Sequence, residues 1–497
     1  TRPSMNVVMI MNDTLRYEHV GANGNDWIQT PNLDRFAAES AVFDRHYLAS
    51  FPTVPNRHEL MKGRVGAPFQ KWGPLEWDAL TLPEVLRDNG YVTMLINDTP
   101  HLMNYGYGFD RPFHAWQMIR GHEVDRVRTD YFDEIQYPVD DKVTDSARMS
   151  LYHRQTKDRQ TEADWFSPQV MQAACDWLER NAGHEKFFLW VDSFDPHEPW
   201  DPPQHYVDLY DPGYEGAVPV WPVFGDTEGR YSDAEMKHIR ALFAGEVTMV
   251  DRWIGRVLDT IDRLNLREET LVVIMSDHGF GLGERGFLGK RPQFPETLHT
   301  LMMVRHPEGI GSGKRIPTIA QHPDFVPSLL DMLDIAEPAE MEIQGKSWFP
   351  ILKGEKRVHR KVAIAGVFPN YIPPNATFNL RRMVGPKGGW SGITAVTQDW
   401  WLVDNVDPEL RLLFDLNADP AAEIDVLADH PDIYEELHAH VLRHIRSTKS
   451  PAWVRKLWFE GPEGVEAPTD TYYFNPIAFK RGRPHGNPLD GNVTPPK

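Results

Sequence analysis

Three short apolar runs set the frame for this chain: NVVMIM at 6–11, KFFLWV at 186–191 and TLVVIM at 270–275. Their length and β-branched content predict buried strands. Each is followed within two residues by an aspartate, Asp13, Asp192 or Asp277. Helical patterns separate the runs. Thr30-Pro31 opens one, with Thr30 as cap, Pro31 at the first helical position, and Leu33, Phe36 and Ala37 on one face. Thr81-Leu82-Pro83-Glu84 opens a second, which Asn89-Gly90 stops. Residues 232–264 and 323–333 predict two more. Strands alternating with helices imply an α/β fold with a mainly parallel sheet covered on both faces. Sites in such sheets lie beyond the carboxyl ends of the strands. The three aspartates are therefore read together, although they are far apart in sequence.

Residues 41–47 and 91–96 predict further strands, and the pattern changes after about residue 360. Short strands at 362–367, 392–397, 400–403 and 412–416 precede one helix at 431–445. The expected organisation is a catalytic α/β domain over 1–360, a smaller antiparallel subdomain with a packed helix over 361–446, and an extended tail over 447–497. The tail, rich in Pro, Gly and aromatics, is expected to wrap the surface or to make a homo-oligomer contact.

A formal net charge of −20 argues against partners such as nucleic acid or anionic membrane. It leaves a small anionic ester as a substrate, because a metal and a few cations can dominate inside a site. No apolar run approaches the roughly 20 residues of a membrane helix. The N-terminus carries no signal-peptide pattern, so a cytoplasmic location is expected; a processed terminus would make it periplasmic or secreted. The single cysteine, Cys175, excludes internal disulfides and is read as a packed core thiol.

Chemistry concentrates in MNDTLR (11–16), FPTVPNR (51–57) and SDHG (276–279). Strand-end aspartates either cap the next turn or ligate a metal. Taken together, Asp13, Asp277 and His278 offer oxygen and nitrogen donors for one divalent ion, a mixed set that suits Mn²⁺ or Zn²⁺ better than Ca²⁺ or Mg²⁺. In TVPNR, Thr53 and Arg57 are one helical turn apart if a helix starts there, which makes either an anion site or an ordinary capped helix.

In this order the motifs resemble the sulfatase branch of the alkaline phosphatase superfamily. The likeness covers roughly residues 5–445. It rests on NDTLR, TPNLDRFAAES, TVPNR, DPHEPW at 195–200, SDHG, GFLGKRPQFPETL at 286–298 and LFDLNADPAAEIDVLADHP at 413–431. It implies a sulfatase-like central sheet, a bound divalent metal and ester hydrolysis. The family's Cys/Ser-x-Pro-x-Arg nucleophile pattern falls on Thr53, Pro55 and Arg57. Threonine cannot become formylglycine, so the resemblance implies an unmodified Thr53 nucleophile that also ligates the metal with Asp13, Asp277 and His278. The family's second early Asp falls on Thr14. The Lys of its Lys-x-His segment falls on Thr99, while the His falls on His101. His197 matches the substrate-side His and Lys290 the anion-binding Lys. His278 resembles the last ligand of the phosphonate monoester hydrolase and phosphodiesterase members.

The implied reaction is in-line displacement. Thr53 attacks, Arg57 and Lys290 hold the equatorial oxygens, His197 protonates the leaving group, and His101 or a metal-bound hydroxide activates water. A formylglycine hydrate sheds sulfate by elimination through its second hydroxyl. Thr53 lacks that hydroxyl, so water must attack phosphorus or sulfur, which suits phosphodiesters or phosphonate monoesters. A sulfate ester hydrolase using unmodified Thr53 is the alternative, and an inactive sulfatase-like binding protein the third reading. The second metal set of two-zinc phosphatases has no match here, so one metal is expected. His322 is read as a helix-start residue rather than an extra ligand. Residues 104–164, which include His114, Trp116, Arg120, His122, Asp125 and Arg126, are expected to wall the pocket.

Overall fold

A computed structural model describes residues 5–128, 146–367, 392–448, 450–461 and 465. The strands used below are β1 (Asn6–Asn12), β2 (Ala41–Phe43), β3 (Ser50–Phe51), β4 (Val92–Asn97), β5 (Ala115–Met118), β6 (Phe187–Ser193), β7 (Thr270–Ser276), β8 (Met302–Arg305), β9 (Arg315–Ile316), β10 (Ala363–Val367), β11 (Ile393–Val396), β12 (Trp400–Asp404) and β13 (Leu412–Asp415). The helices are α1 (Pro31–Ala38), α2 (Thr53–Lys62), α3 (Leu82–Asp88), α4 (Phe166–Asn181), α5 (Asp233–Arg263), α6 (Phe325–Met332), α7 (Pro431–Ser447) and α8 (Ala452–Glu460).

The three apolar runs are the centre of an eight-stranded sheet ordered β9-β2-β8-β7-β1-β6-β4-β5. From β7 to β5 the strands are all parallel. β8 is antiparallel to β7 and β2. Because successive side chains on a strand face opposite sides, Val8 and Ile10 of β1 pack under α1, α4 and α5, while Val7, Met9 and Met11 pack under α2, α3 and α6. Covering both faces explains why these strands are unbroken apolar runs rather than alternating ones.

Register then places the aspartates. Asn12 lies opposite Ser193 on β6 and Ser276 on β7, and Met11 lies opposite Asp192. Asp13 and Asp277, each one residue further on, therefore leave the sheet side by side.

Helix ends are partly as the sequence predicts. Glu84 of α3 reaches back to the Thr81 N–H at 3.0 Å. Ser232 and Glu235 form the reciprocal cap of α5. α1 differs. Thr30 precedes Pro31 as expected, but its hydroxyl accepts from Gly21 N (2.8 Å) instead of capping the helix. The cap comes from Asp251 on α5, which accepts from Asn32 N (3.1 Å) and Leu33 N (2.7 Å). The expected strand at 41–47 is also two: β2 stops at Phe43, and His46–Tyr47 pairs instead with Ala320–Gln321.

A second sheet runs β13-β12-β11-β10-β3. Its first four strands are antiparallel, and β3 joins parallel to β10, Ser50 opposite Gly366. α7 covers it through Leu437, Val441 and Ile445. The segment after residue 447 is not uniformly extended. α8 places Val454, Leu457 and Trp458 on the same apolar cluster, spacing that puts them on one helix face. Residues 466–497 of the expected tail lie outside the described residues. No helix among the described residues is long and apolar enough to cross a membrane.

Candidate active site

α2 follows β3 directly, and every residue from Thr53 to Lys62 is buried. Pro52 is its N-cap and Thr53 its first helical residue, so Thr53 is not the cap. Pro55 lies within the first turn, where a missing N–H leaves no helical bond unmade. Glu59 fixes the approach to this turn by accepting from Ser50 N (3.0 Å), Ser50 Oγ (2.6 Å) and Gly66 N (2.9 Å). Burial pushes its carboxyl up to about 7 against those three donors.

One turn after Thr53, the fully buried Arg57 points at the strand-end carboxylates. Its Nε and Nη2 fork onto Asp192 at 3.1 and 2.8 Å. Its Nη1 donates to Asp277, lies 3.3 Å from Asp13 Oδ2, and lies 3.5 Å from the Thr53 carbonyl oxygen. The expected clamp on a substrate anion is therefore turned inward, and the guanidinium is saturated by protein carboxylates. Asp192 was visible in the sequence only as a strand end; its partner is 135 residues away.

Asp13, Asp277 and His278 each offer one ligand atom within 4.8 Å of the others, and all three are buried. His278 Nδ1 donates to Gly279 O at 3.0 Å, which leaves a lone pair on Nε2. That Nε2 has no hydrogen-bond partner and lies 3.7 Å from Asp13 Oδ1 and 3.6 Å from Asp277 Oδ2. Asp13 Oδ2 likewise lacks a hydrogen bond. Burial holds the imidazole neutral, down at about 4. Burial, then the charge of Asp277, pushes Asp13 well above the usual carboxylate range. Burial also opposes ionisation of Asp277, but His278 and Arg57 overcome it and hold its carboxyl far below that range. A neutral imidazole lone pair facing two crowded carboxylates fits one divalent cation.

Thr14, where the family has an acid, serves this set as a brace. Its N–H donates to Asp277 Oδ1 at 3.0 Å and its hydroxyl to Asp13 Oδ1 at 2.8 Å. The geometry requires φ of 66°, a left-handed conformation costly for a β-branched residue.

The residues expected on the substrate side form a second group. Lys290 Nζ donates to His197 Nε2 at 2.5 Å and lies 3.6 Å from Glu198 Oε1. His197 Nδ1 donates to the Glu198 carbonyl at 2.6 Å. Its one proton is thus on Nδ1, and burial followed by the Lys290 charge holds the ring neutral. Burial pushes the Glu198 carboxyl up to about 7. His101 Nε2 lies 2.7 Å from Glu123 Oε2. The Phe194 ring stacks on His197 with centroids 4.0 Å apart and meets His101 edge-on at 5.7 Å. Glu123, Glu198 and Thr14 had no role in the sequence reading; only Glu198, adjacent to His197 in DPHEPW, carried a local signal. His322 is a helix-start residue: Nε2 donates to Ser276 O (2.9 Å) and Nδ1 accepts from Asn56 (2.8 Å), so no nitrogen remains for a metal. Of the expected pocket wall, residues 129–145 lie outside the described residues.

The sulfatase family profile matches residues 5–335, and the profile of the N-sulphoglucosamine sulphohydrolase C-terminal region matches 283–450. An N-acetylglucosamine-6-O-sulfatase of Bacteroides thetaiotaomicron is 25% identical over 475 residues, covering 84% of this chain and 81% of that protein. The solved phosphonate monoester hydrolase of Agrobacterium radiobacter superposes with a TM-score of 0.69 at 20% identity, over 89% of this chain and 95% of that one. A structure solved with D-glucosamine-2-N,6-O-disulfate as its substrate gives 0.70 at 19% identity, over 90% and 98%. The chain belongs to the sulfatase family, in the sulfatase branch of the alkaline phosphatase superfamily, and is a hydrolase of that family.

Proposed function

We propose that this protein hydrolyses a small monoanionic ester at phosphorus, a phosphodiester or phosphonate monoester, through a covalent intermediate on Thr53. The observation that carries this reading is Thr53 itself, a threonine in place of the formylglycine precursor, buried at the first turn of the helix that delivers Arg57 to the carboxylates. With no second hydroxyl, Thr53 cannot release its ester by elimination. Hydrolysis by water at the central atom is the remaining route, and it is better suited to phosphorus than to sulfur.

Charge fits an anionic ester once a cation is bound. Asp13, Asp192 and Asp277 stand against Arg57, and Glu198 stands beside Lys290. A divalent cation held by Asp13, Asp277 and His278 would offset that excess of carboxylates and would polarise the ester oxygens and the attacking hydroxyl. Phosphodiesters, phosphonate monoesters and sulfate monoesters all carry one negative charge.

Thr53 Oγ attacks phosphorus as the bond to the leaving oxygen breaks, its own proton passing to solvent, while Arg57 keeps the carboxylates apart and aligned. The neutral His197 has no proton on Nε2, so the proton for the leaving oxygen comes from Lys290, which that nitrogen orients. This replaces His197 as the direct acid. In the second half His101, whose Nε2 lies 2.7 Å from Glu123 Oε2, takes the proton of a water that attacks phosphorus as the bond to Thr53 Oγ breaks.

A sulfate ester hydrolase using the same threonine is the second reading, favoured by the sulfatase relative above. Matched nitrophenyl phosphonate, phosphodiester and sulfate esters separate the two. The expected result is turnover of the phosphorus esters, with acid quench trapping phosphate on the Thr53 peptide. Turnover of the sulfate alone would replace the proposal with direct sulfate transfer, and inertness toward all of them with a binding role.

A further inference from the structure

Phe194 touches three histidines. His197 and His101 belong to the substrate side; the third, His122, meets the ring edge-on at 5.0 Å and belongs to no ligand or substrate set. Its side chain is fully buried and stacks on Phe166 at 4.3 Å. Nδ1 lies 2.9 Å from Asp98 Oδ2, and Nε2 lies 3.3 Å from Asp195 Oδ1. The other oxygen of each carboxylate accepts a backbone N–H, Asp98 Oδ1 from Phe194 (2.7 Å) and Asp195 Oδ2 from Ser167 (3.0 Å). A neutral imidazole carries one N–H and would set a lone pair against one carboxylate inside the core. An imidazolium donates to Asp98 through Nδ1 and sets positive charge against Asp195, to which Nε2 makes an ion-pair contact but no hydrogen bond.

The connections make this a matter of alignment. Asp98 is three residues before His101, and Asp195 is two before His197. Glu123, next to His122, holds His101. We propose that His122 is a positioning residue, a cationic strut between Asp98 and Asp195 that keeps His101 and His197 in register across Phe194.

The surroundings favour the cation. Facing His122 are Asp98, Asp195 and the Tyr152 ring, with Arg159 stacked on the far side of the group over Phe166 at 4.7 Å. Arg159 is itself engaged by Asp201. Glu246 of α5 lies beyond Asp195, and Asp192 beyond Asp98. Burial and Arg159 pull the imidazole down; Asp195 and Asp98 more than offset them, so it titrates above its usual 6.5. The bridge is complete below 6.5 and is lost as pH rises through the higher folded value.

The activity arm of the test rests on the proposed hydrolysis; the spectroscopic arm does not. In protein labelled with ¹⁵N-histidine, the imidazole that disappears in His122→Gln should show both nitrogens protonated at pH 7. A single protonated nitrogen there overturns the proposal, whatever the substrate proves to be. On the best nitrophenyl ester, His122→Gln should lower kcat about 10- to 100-fold with a smaller effect on KM, and should lose the alkaline limb that follows the His122 titration, leaving only the one set by the proposed acid Lys290. Unchanged kcat and pH profile would make His122 a packing residue only. Should His122→Gln not fold, Asp98→Asn serves, and should move the limb to lower pH by about one unit or more; an unmoved limb counts against the proposal.

Discussion

Arg57 shows what a sequence motif transmits and what it omits. Its spacing from Thr53 was legible as one helical turn, and so was a charge role. The partners were not, because Asp192 and Asp277 lie 135 and 220 residues away and only sheet register brings them in. The direction of the side chain sets the expected phenotype. Removing a buried ion-pair partner leaves uncompensated charge worth about 3–5 kcal/mol. Arg57→Met should therefore lower stability by that order in chemical denaturation, whereas a substrate clamp would change KM and leave the unfolding midpoint alone. The candidate metal ligands were more legible, since strand ends and the SDHG motif point to the same residues. Asp277→Ala should abolish bound divalent metal after dialysis, measured by elemental analysis; full occupancy would remove Asp277 from the set. Thr53→Ala should cost several orders of magnitude in rate, while Thr53→Ser, which keeps the hydroxyl, should retain measurable turnover. The protonation logic of His197 was not legible at all. It depends on a backbone carbonyl, that of Glu198, which no residue-type pattern encodes.

Among the elements, β1, β6, β7, α5 and α7 were read to within two residues, because burial leaves a periodic apolar signature that local sequence carries, whereas the buried β8 and the helix α4 were not predicted. The ends fared differently. Thr30-Pro31 marks the start of α1 correctly, yet the capping oxygen comes from Asp251 on α5. A cap delivered across 218 residues leaves no local trace. Asp251→Ala should accordingly destabilise the fold by about 1–2 kcal/mol, visible as a lower unfolding midpoint. Thr30→Ala should do less, and a reversed order would return the capping role to Thr30. α8 was missed for the opposite reason. Its apolar face is three residues wide and sits in a Pro- and aromatic-rich stretch that reads as irregular chain.

At the scale of the whole molecule, the two sheets meet at the active site through two devices. One is Trp401 of β12, whose indole N–H donates to Gln293 O at 2.8 Å, three residues beyond Lys290. Trp401→Phe keeps the buried ring and removes that tether. It should lower kcat/KM about tenfold or more through misplacement of Lys290, with a small change in unfolding midpoint; normal kinetics would show that the loop holds itself. The other device is β3, which leads into Thr53 and is paired along β10. An antiparallel sheet with its own helix looks like a cassette that recombination could exchange between relatives. The shared strand forbids that: any transplanted C-terminal lobe must also present a backbone edge in register with Ser50 and Phe51, or Thr53 arrives misaimed. The two lobes are thus bound to diverge as one heritable unit, and a chain divided between them should regain turnover only when both fragments are mixed.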